Sequence, residues 1–463
     1  MKKILLPLVL VFIAVPTVAQ AQPGALDPSF GQRGRLALKL PVRELELFYT
    51  GKPRAARMTM DALPSGGLAA ASGAFVIERT ADGRPLKRFG GDGKVRIQIP
   101  SGSTFELGDL AVDPQGRVLV AGTQYTRSQT PLRRAVIFRY LANGDPDPSF
   151  GADGVVNETF DQQPALDPTG APSPGGFNVG LTGLALAPDG GIVVGGYSAA
   201  QVIMCSAGAP VGATSRAFLA RLTVDGSRES SFGEDGVLTD EGTERISPPV
   251  LDPSGRIGFE AASGGYCGFR GPAESGKFVS LLADGQPDAG FGSNGGRPHP
   301  NLTPVTDVAF DSRGRLLALG QRPETAELEG GIGDPEWRVR RLLSDGRPDP
   351  SFGRDGSASP KLPPQAHLED LTIDHRGRIA LAGYRTDKWN MNARFLLTRL
   401  SRDGRREPGF GRGGWAVTRF LAGEAAAIEV TADGRDRLLV GGILGDPRYS
   451  ESNGLAFARF SGR

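Results

Sequence analysis

The sequence predicts an all-β chain folded as a seven-bladed β-propeller, with about 60 residues and four antiparallel strands per blade. Three observations lead there. A phrase of the form Asp-Gly-x5-Phe-Gly-x2-Gly returns along the chain, with its phenylalanines at Phe30, Phe89, Phe150, Phe232, Phe291, Phe352 and Phe410, separated by 59, 61, 82, 59, 61 and 58 residues. Between the phrases, short apolar or alternating runs broken by Gly, Pro, Asp and Asn repeat in one order, without a helical period. Finally, the two ends of the chain complete each other. Pro23-Gly24-Ala25-Leu26-Asp27-Pro28-Ser29-Phe30-Gly31, placed after the terminal strand, restores the register of the internal phrase at residues 345–353. A closed ring of radial repeats predicts that joint, whereas a stacked β-solenoid predicts capped ends.

From the N-terminus, Lys2 and Lys3, the apolar run from Ile4 to Val15 and the small-x-small triplet Ala19-Gln20-Ala21 read as a cleavable export signal over residues 1–21. The run is too short to span ~30 Å of hydrocarbon. No cysteine follows the cleavage site to carry a lipid anchor, so the expected product is residues 22–463, a single domain, monomeric, secreted or periplasmic and not inserted in a membrane. Loss of Lys2 and Lys3 from the 53 Lys and Arg leaves 51, equal to the 51 Asp and Glu. That balance offers no basic face for nucleic acid. The 67 glycines and 36 prolines recur at fixed places in the repeat and therefore mark turns rather than disorder.

Each unit is expected to open with a short strand after the Gly-x-x-Gly of the phrase, such as Gly154-Val155-Val156. Two strands joined by a tight polar turn follow, as around Asp113-Pro-Gln-Gly116, Asp311-Ser-Arg-Gly314 and Asp374-His-Arg-Gly377. Asp there bonds its own backbone and Gly takes positive φ. A fourth strand runs into the next phrase. Unit one lacks the leading Asp, and unit four is expected to have an interrupted third strand near Gly258-Phe259-Glu260. The phenylalanine of each phrase has the size to wedge between blades, where an aromatic buries ~150–250 Å². A calcium reading of Asp345, Asp349 and Asp355 lacks the alternating acidic spacing of a calcium loop.

The phrases at residues 26–34, 145–154 and 347–356 resemble the delta-60 repeat family of bacterial exported proteins, over nearly all of the mature chain. The resemblance implies a β-propeller fold and export, and carries over no catalytic residues, cofactor or metal.

The loops of an up-and-down blade alternate between two faces. The hairpin turns and the phrases share one face and are stereotyped; the other connections share the second face and vary in length, which is where specific function tends to lie on a rigid scaffold. That face gathers Trp389, Tyr384, Trp337, Tyr125, Arg127, Tyr449 and Asn390, aromatic, Arg and Asn side chains of the kind that hold sugars or protein hot spots. The additional residues of unit three, 161–179 among them, are expected to form a long loop there. Cys205 and Cys267 fall in corresponding loops of consecutive units and are expected to form a disulfide in an exported protein. Catalytic phrases such as Gly-x-Ser-x-Gly, His-Glu-x-x-His or a P-loop are missing, and the three histidines, His299, His367 and His375, do not share one loop set. The expected function is therefore a non-catalytic binding or interaction module for a carbohydrate or cell-envelope protein. Two alternatives stand beside it: an exported propeller enzyme, of the quinone-dependent dehydrogenase or polysaccharide lyase type, and a structural cell-surface component.

Overall fold

The computed structural model describes residues 22–39, 58–126, 133–160, 178–199, 215–240, 243, 245–263, 275–299, 302, 304–322, 336–388, 391–445 and 454–462. These residues form seven small antiparallel sheets and no helix. The first strands of the sheets, Met58–Ala62, Ser103–Val112, Asn178–Leu186, the pair Arg245–Ile246 and Val250–Leu251, Val305–Phe310, Ala366–Ile373 and Ala425–Ala432, lie against one another in sequence order. The last meets the first. They surround a central axis, and the sheets radiate from it as seven blades.

Blade edges do not coincide with repeat edges. In blade two the inner strand Ser103–Val112 pairs with Val118–Thr126, which pairs with Arg133–Tyr140, and the outermost strand is Val155–Glu158. The short strand after each phrase thus closes the preceding blade instead of opening its own unit. The physical reason is reach: the phrase turns tightly, and the chain emerging from it lies alongside the strand it has just left. The N-terminal strand Arg35–Lys39 follows the same rule around the ring, pairing with Gly454–Phe460 as the outer strand of blade seven. Gly24 N donates to Ser461 O and Ser461 N to Ala25 O, both at 2.8 Å. The outer strands are two to five residues long, which leaves little unpaired edge.

The core is seven wedges, one per blade interface. Phe30, Phe89, Phe150, Phe232, Phe291, Phe352 and Phe410 are each at most 1% exposed, and each belongs to a different interblade cluster. Above several of them lies a buried arginine from the third strand of the blade. Arg341 stacks its guanidinium 4.4 Å from the Phe352 ring centre, donates from Nε to Asp349 at 2.9 Å and reaches the Arg402 carbonyl of the next blade. Arg139 over Phe150 and Arg459 over Phe30 do the same with Asp147 and Asp27. The hairpin aspartates complete the lattice. Asp311 accepts the N–H groups of Arg313 and Arg315 and holds the Arg315 side chain, which also reaches Asp349 at 2.9 Å. The glycine after each phenylalanine turns at positive φ, where no side chain fits: a Cβ on Gly151 would lie 2.3 Å from Val155 O. Its N–H donates to the next phrase, as Gly151 N does to Asp225 O at 2.8 Å.

Blade four departs from the pattern in a different strand from the one expected. Its second strand, Ile257–Ser263, is continuous through Gly258, Phe259 and Glu260, and the break lies in the inner strand, at Ser247-Pro248-Pro249. Two consecutive prolines supply no N–H for the ladder.

Candidate functional site

Around the axis, one position of the inner strands collects carboxylates. It lies four residues before the hairpin-turn position and is occupied by Asp109, Asp307, Asp370 and Glu429 in blades two, five, six and seven. Thr59, Gly183 and Pro248 fill it in blades one, three and four. In blades two, three, five, six and seven a β-bulge precedes it, as between Leu107 and Asp109, and tips the side chain out of the regular alternation. Each carboxylate reaches the following blade. Asp109 accepts Leu184 N at 3.0 Å, Asp307 accepts Leu371 N at 3.0 Å, Asp370 accepts Val430 N at 2.6 Å and Glu429 accepts Met60 N at 2.5 Å. Thr59 donates its hydroxyl to Asp109 at 3.0 Å, and Asp61, one layer along, accepts Val112 N at 3.0 Å. The acids therefore latch inner strands that have no ladder between them.

These groups crowd one another in a protein-lined channel. Burial is the main reason that Asp109, Asp307, Asp370 and Glu429 all hold their protons more tightly than free carboxyls, and it pushes Asp61 up to about 6. Asp370 is raised further by the charge of Asp307, by a hydrogen bond with it, and by the charge of Glu429. The charge of Asp109 is felt by Asp61, Asp307 and Glu429, which places all four around a common space. Glu369, the additional residue of the blade-six bulge, is exposed on the inner strand yet is raised to about 7 by burial among protein atoms. It can carry or release a proton near neutrality. Among the described residues no group of three or more His, Cys, Asp or Glu side chains is arranged to hold a metal ion.

The aromatic residues expected on the variable face separate into two sets. Trp337 and Tyr125 do not face solvent. Trp337 is 5% exposed in the wedge between blades five and six, and its indole N–H donates to Ala366 O at 3.2 Å. Tyr125 is buried, with its hydroxyl on Glu106 at 2.8 Å and the Arg133 guanidinium 5.1 Å from its ring centre. Trp337 sits at a strand start on an interblade face, so its apolar body enters the wedge, whereas Tyr125 is covered by its polar and charged neighbours. Tyr384 is half-buried and stacks on His367 at 5.0 Å. Trp389, Asn390, Arg127, Tyr449, Cys205 and Cys267 lie outside the described residues, as does the segment 1–21.

Close to Trp389 in sequence, Met391 is 47% exposed, and Leu421 is fully exposed at the tip of a turn closed by Phe420 and Gly423. The two loops are joined, since Ala425 N donates to Ala393 O at 3.0 Å. Asp345 and Asp349, weighed above as cation ligands, hold arginines: Arg347 on the first, Arg341 and Arg315 on the second. Sequence reasoning passed over the axial acids. Their signal was an acidic residue four positions before the turn aspartate, in blades two, five, six and seven.

A family described as a domain of unknown function (DUF5122), β-propeller, matches residues 114–150 and 330–352. The chain is a seven-bladed β-propeller. Solved structures similar to this propeller include a protein of unknown function from Dyadobacter fermentans, 13% identical with TM-score 0.42, the match covering 79% of this chain and all of that one. The PQQ-bound aldose sugar dehydrogenase of Streptomyces coelicolor is 15% identical with TM-score 0.37, over 95% and 100% of the two chains. The polysaccharide lyase Uly1 is 10% identical with TM-score 0.46, over 96% and 97%. Such distant likenesses say nothing of this propeller's chemistry. No match is found among curated proteins.

Proposed function

We propose that this propeller is an exported, non-catalytic binding module of the delta-60 repeat kind, released as a monomer after cleavage of residues 1–21 and stapled by a Cys205–Cys267 disulfide. A carbohydrate or cell-envelope protein is the partner, held on the variable-loop face around Trp389. One observation carries the reading. The stereotyped polar residues are engaged within the fold, the phrase arginines and aspartates with each other and the axial carboxylates with backbone N–H groups, whereas Met391, two residues after Trp389 in sequence, and Leu421 are apolar and exposed. Thermal shift of the purified protein against a glycan panel and envelope extracts tests it. A stabilising ligand is expected, with the shift abolished in Trp389→Ala/Leu421→Ser. A ligand whose shift survives that pair of substitutions would move the site elsewhere.

A second reading, an exported propeller enzyme, is favoured by Glu369 alone, an exposed inner-strand carboxyl pushed up to about 7 and thus of the type used in general acid–base work. Turnover of a glycan found in the screen, lost in Glu369→Gln with binding retained, would support it. Binding without turnover leaves the module reading in place.

A further inference from the structure

We propose that Arg385 and Arg394, directly paired on neighbouring strands of blade six, and Arg419, one residue past the end of the outer strand Trp415–Thr418, form a binding site for the anionic groups of an acidic polysaccharide. This rests on the binding reading above and names a ligand class for it.

The row follows from register. Arg385 pairs directly with Arg394, and Phe395 with Thr418, the last pair of its ladder, so Arg419 follows one residue beyond it on the side of Arg394. The same parity puts the three side chains on one side of the blade, above the row Gly383, Leu396 and Val417. Leu396 and Val417 belong to the wedge shared with blade five, so the arginines stand at the rim of an apolar floor. Adjacent strands lie ~4.8 Å apart, which brings the guanidinium groups within mutual reach.

Like charges directly opposite on neighbouring strands are destabilising, and the opposing charge felt by Arg394 is that of Asp387. Arg394 and Arg419 make no hydrogen bond or ion pair among the described residues; Arg385 donates only its Nε, to Pro364 O at 3.1 Å. Asp387 is near but directed elsewhere, accepting Met391 N at 2.9 Å and the Asn392 amide at 2.7 Å. Burial, then the charges of Arg419 and Arg385, lower the proton affinity of Arg394, with Asp387 opposing. Contrast the recurrent arginines of the phrase: Arg139, Arg341 and Arg459 each meet an aspartate at 2.8–2.9 Å. A row in which Arg394 and Arg419 have no ion pair among the described residues, repeated at strand spacing, is complementary to planar anions repeated along a chain. Guanidinium forks bind carboxylate and sulfate bidentately. Three arginines on a molecule whose formal charge is only +2 favour a sugar acid over a nucleic acid, which would require an extended basic face.

The test uses the purified protein and a hexameric oligogalacturonate, with a neutral glucan hexamer and a single-stranded DNA hexamer as comparators, followed by calorimetric titration and thermal melting. The uronate is expected to bind and the comparators to bind at least tenfold more weakly. Arg394→Gln and Arg419→Gln are each expected to weaken uronate binding at least tenfold while the melting temperature holds or rises, because repulsion is relieved; a purely structural role would lower it. Equal binding of DNA, or uronate binding unchanged in both variants, overturns the proposal. If instead a neutral glycan or an envelope protein binds and is indifferent to Arg394→Gln, this site fails while the module reading stands. If the wild type binds nothing in either screen, both fail.

Discussion

Glu78 is fully buried opposite Ala69, on the face of blade one that packs against blade two, and neither of its carboxylate oxygens has a hydrogen-bond partner. Burial raises it to about 7, against a smaller pull from Arg88. Because the folded state holds this proton more tightly than the unfolded chain, its contribution is present below about pH 4.5 and is lost as pH rises through 7. The same direction holds for Asp61 and the axial acids, while Asp27, Asp147 and Asp349 are lowered, despite partial burial, by their serine and arginine partners and give up stability only in strong acid. Melting temperature is therefore expected to fall between pH 5 and pH 8. Glu78→Met should flatten part of that fall and add roughly 1–3 kcal/mol at pH 8, the usual penalty of an unpaired buried polar group. A chemical denaturation series at both pH values measures it, and a variant less stable than wild type at pH 8 would contradict the assignment.

Among the blades, the fourth shows how an element keeps its shape after losing the repeated devices. Ser280 stands where other third strands carry arginine and hydrogen-bonds Asp288 at 3.1 Å, while Arg256 from the hairpin reaches the same aspartate at 3.2 Å. Outside the ladder, His299 packs at 4.3 Å on Phe278, gives its Nδ1 proton to Leu302 O at 3.0 Å and sets Nε2 3.5 Å from Glu260. The ring occupies the space that Gly276 leaves: a Cβ there would lie 2.2 Å from His299 Cε1. Gly276→Ala should cost about 1–3 kcal/mol by overpacking, and Gly276→Ala/His299→Ala should show strong coupling in a double-mutant cycle, since the second substitution removes the clash. Additive losses would place the strain elsewhere. The sequence points to an irregular strand in this unit, but near Gly258 rather than at Pro248-Pro249, and the histidine's buried place did not show, because its partners lie 39 residues back at Glu260 and 21 back at Phe278.

Over the whole molecule, closure depends on residues 22–39. They supply the outer strand of blade seven, the Asp27 carboxylate that holds Arg459 at 2.9 Å and the Phe30 wedge between blades seven and one. Deleting 22–39 should expose that interface and the edge of Gly454–Phe460, with a large drop in melting temperature and concentration-dependent association; an unchanged melt of a monomer would refute closure. The repeat, its seven-fold count, the hairpin turns and the joining of the ends were legible in the residues, because turn chemistry and alternation are local and the phrase carries its own Gly, Pro and Phe requirements. Only the assembled ring decided which blade each short strand completes, since that choice depends on which neighbour lies within hydrogen-bond reach. It also decided that Trp337 enters a wedge and Tyr125 is buried, that four acids from distant repeats meet at the axis, and that Arg385, Arg394 and Arg419 fall in one row. Each of these depends on distances between residues that local sequence keeps apart and strand pairing brings together.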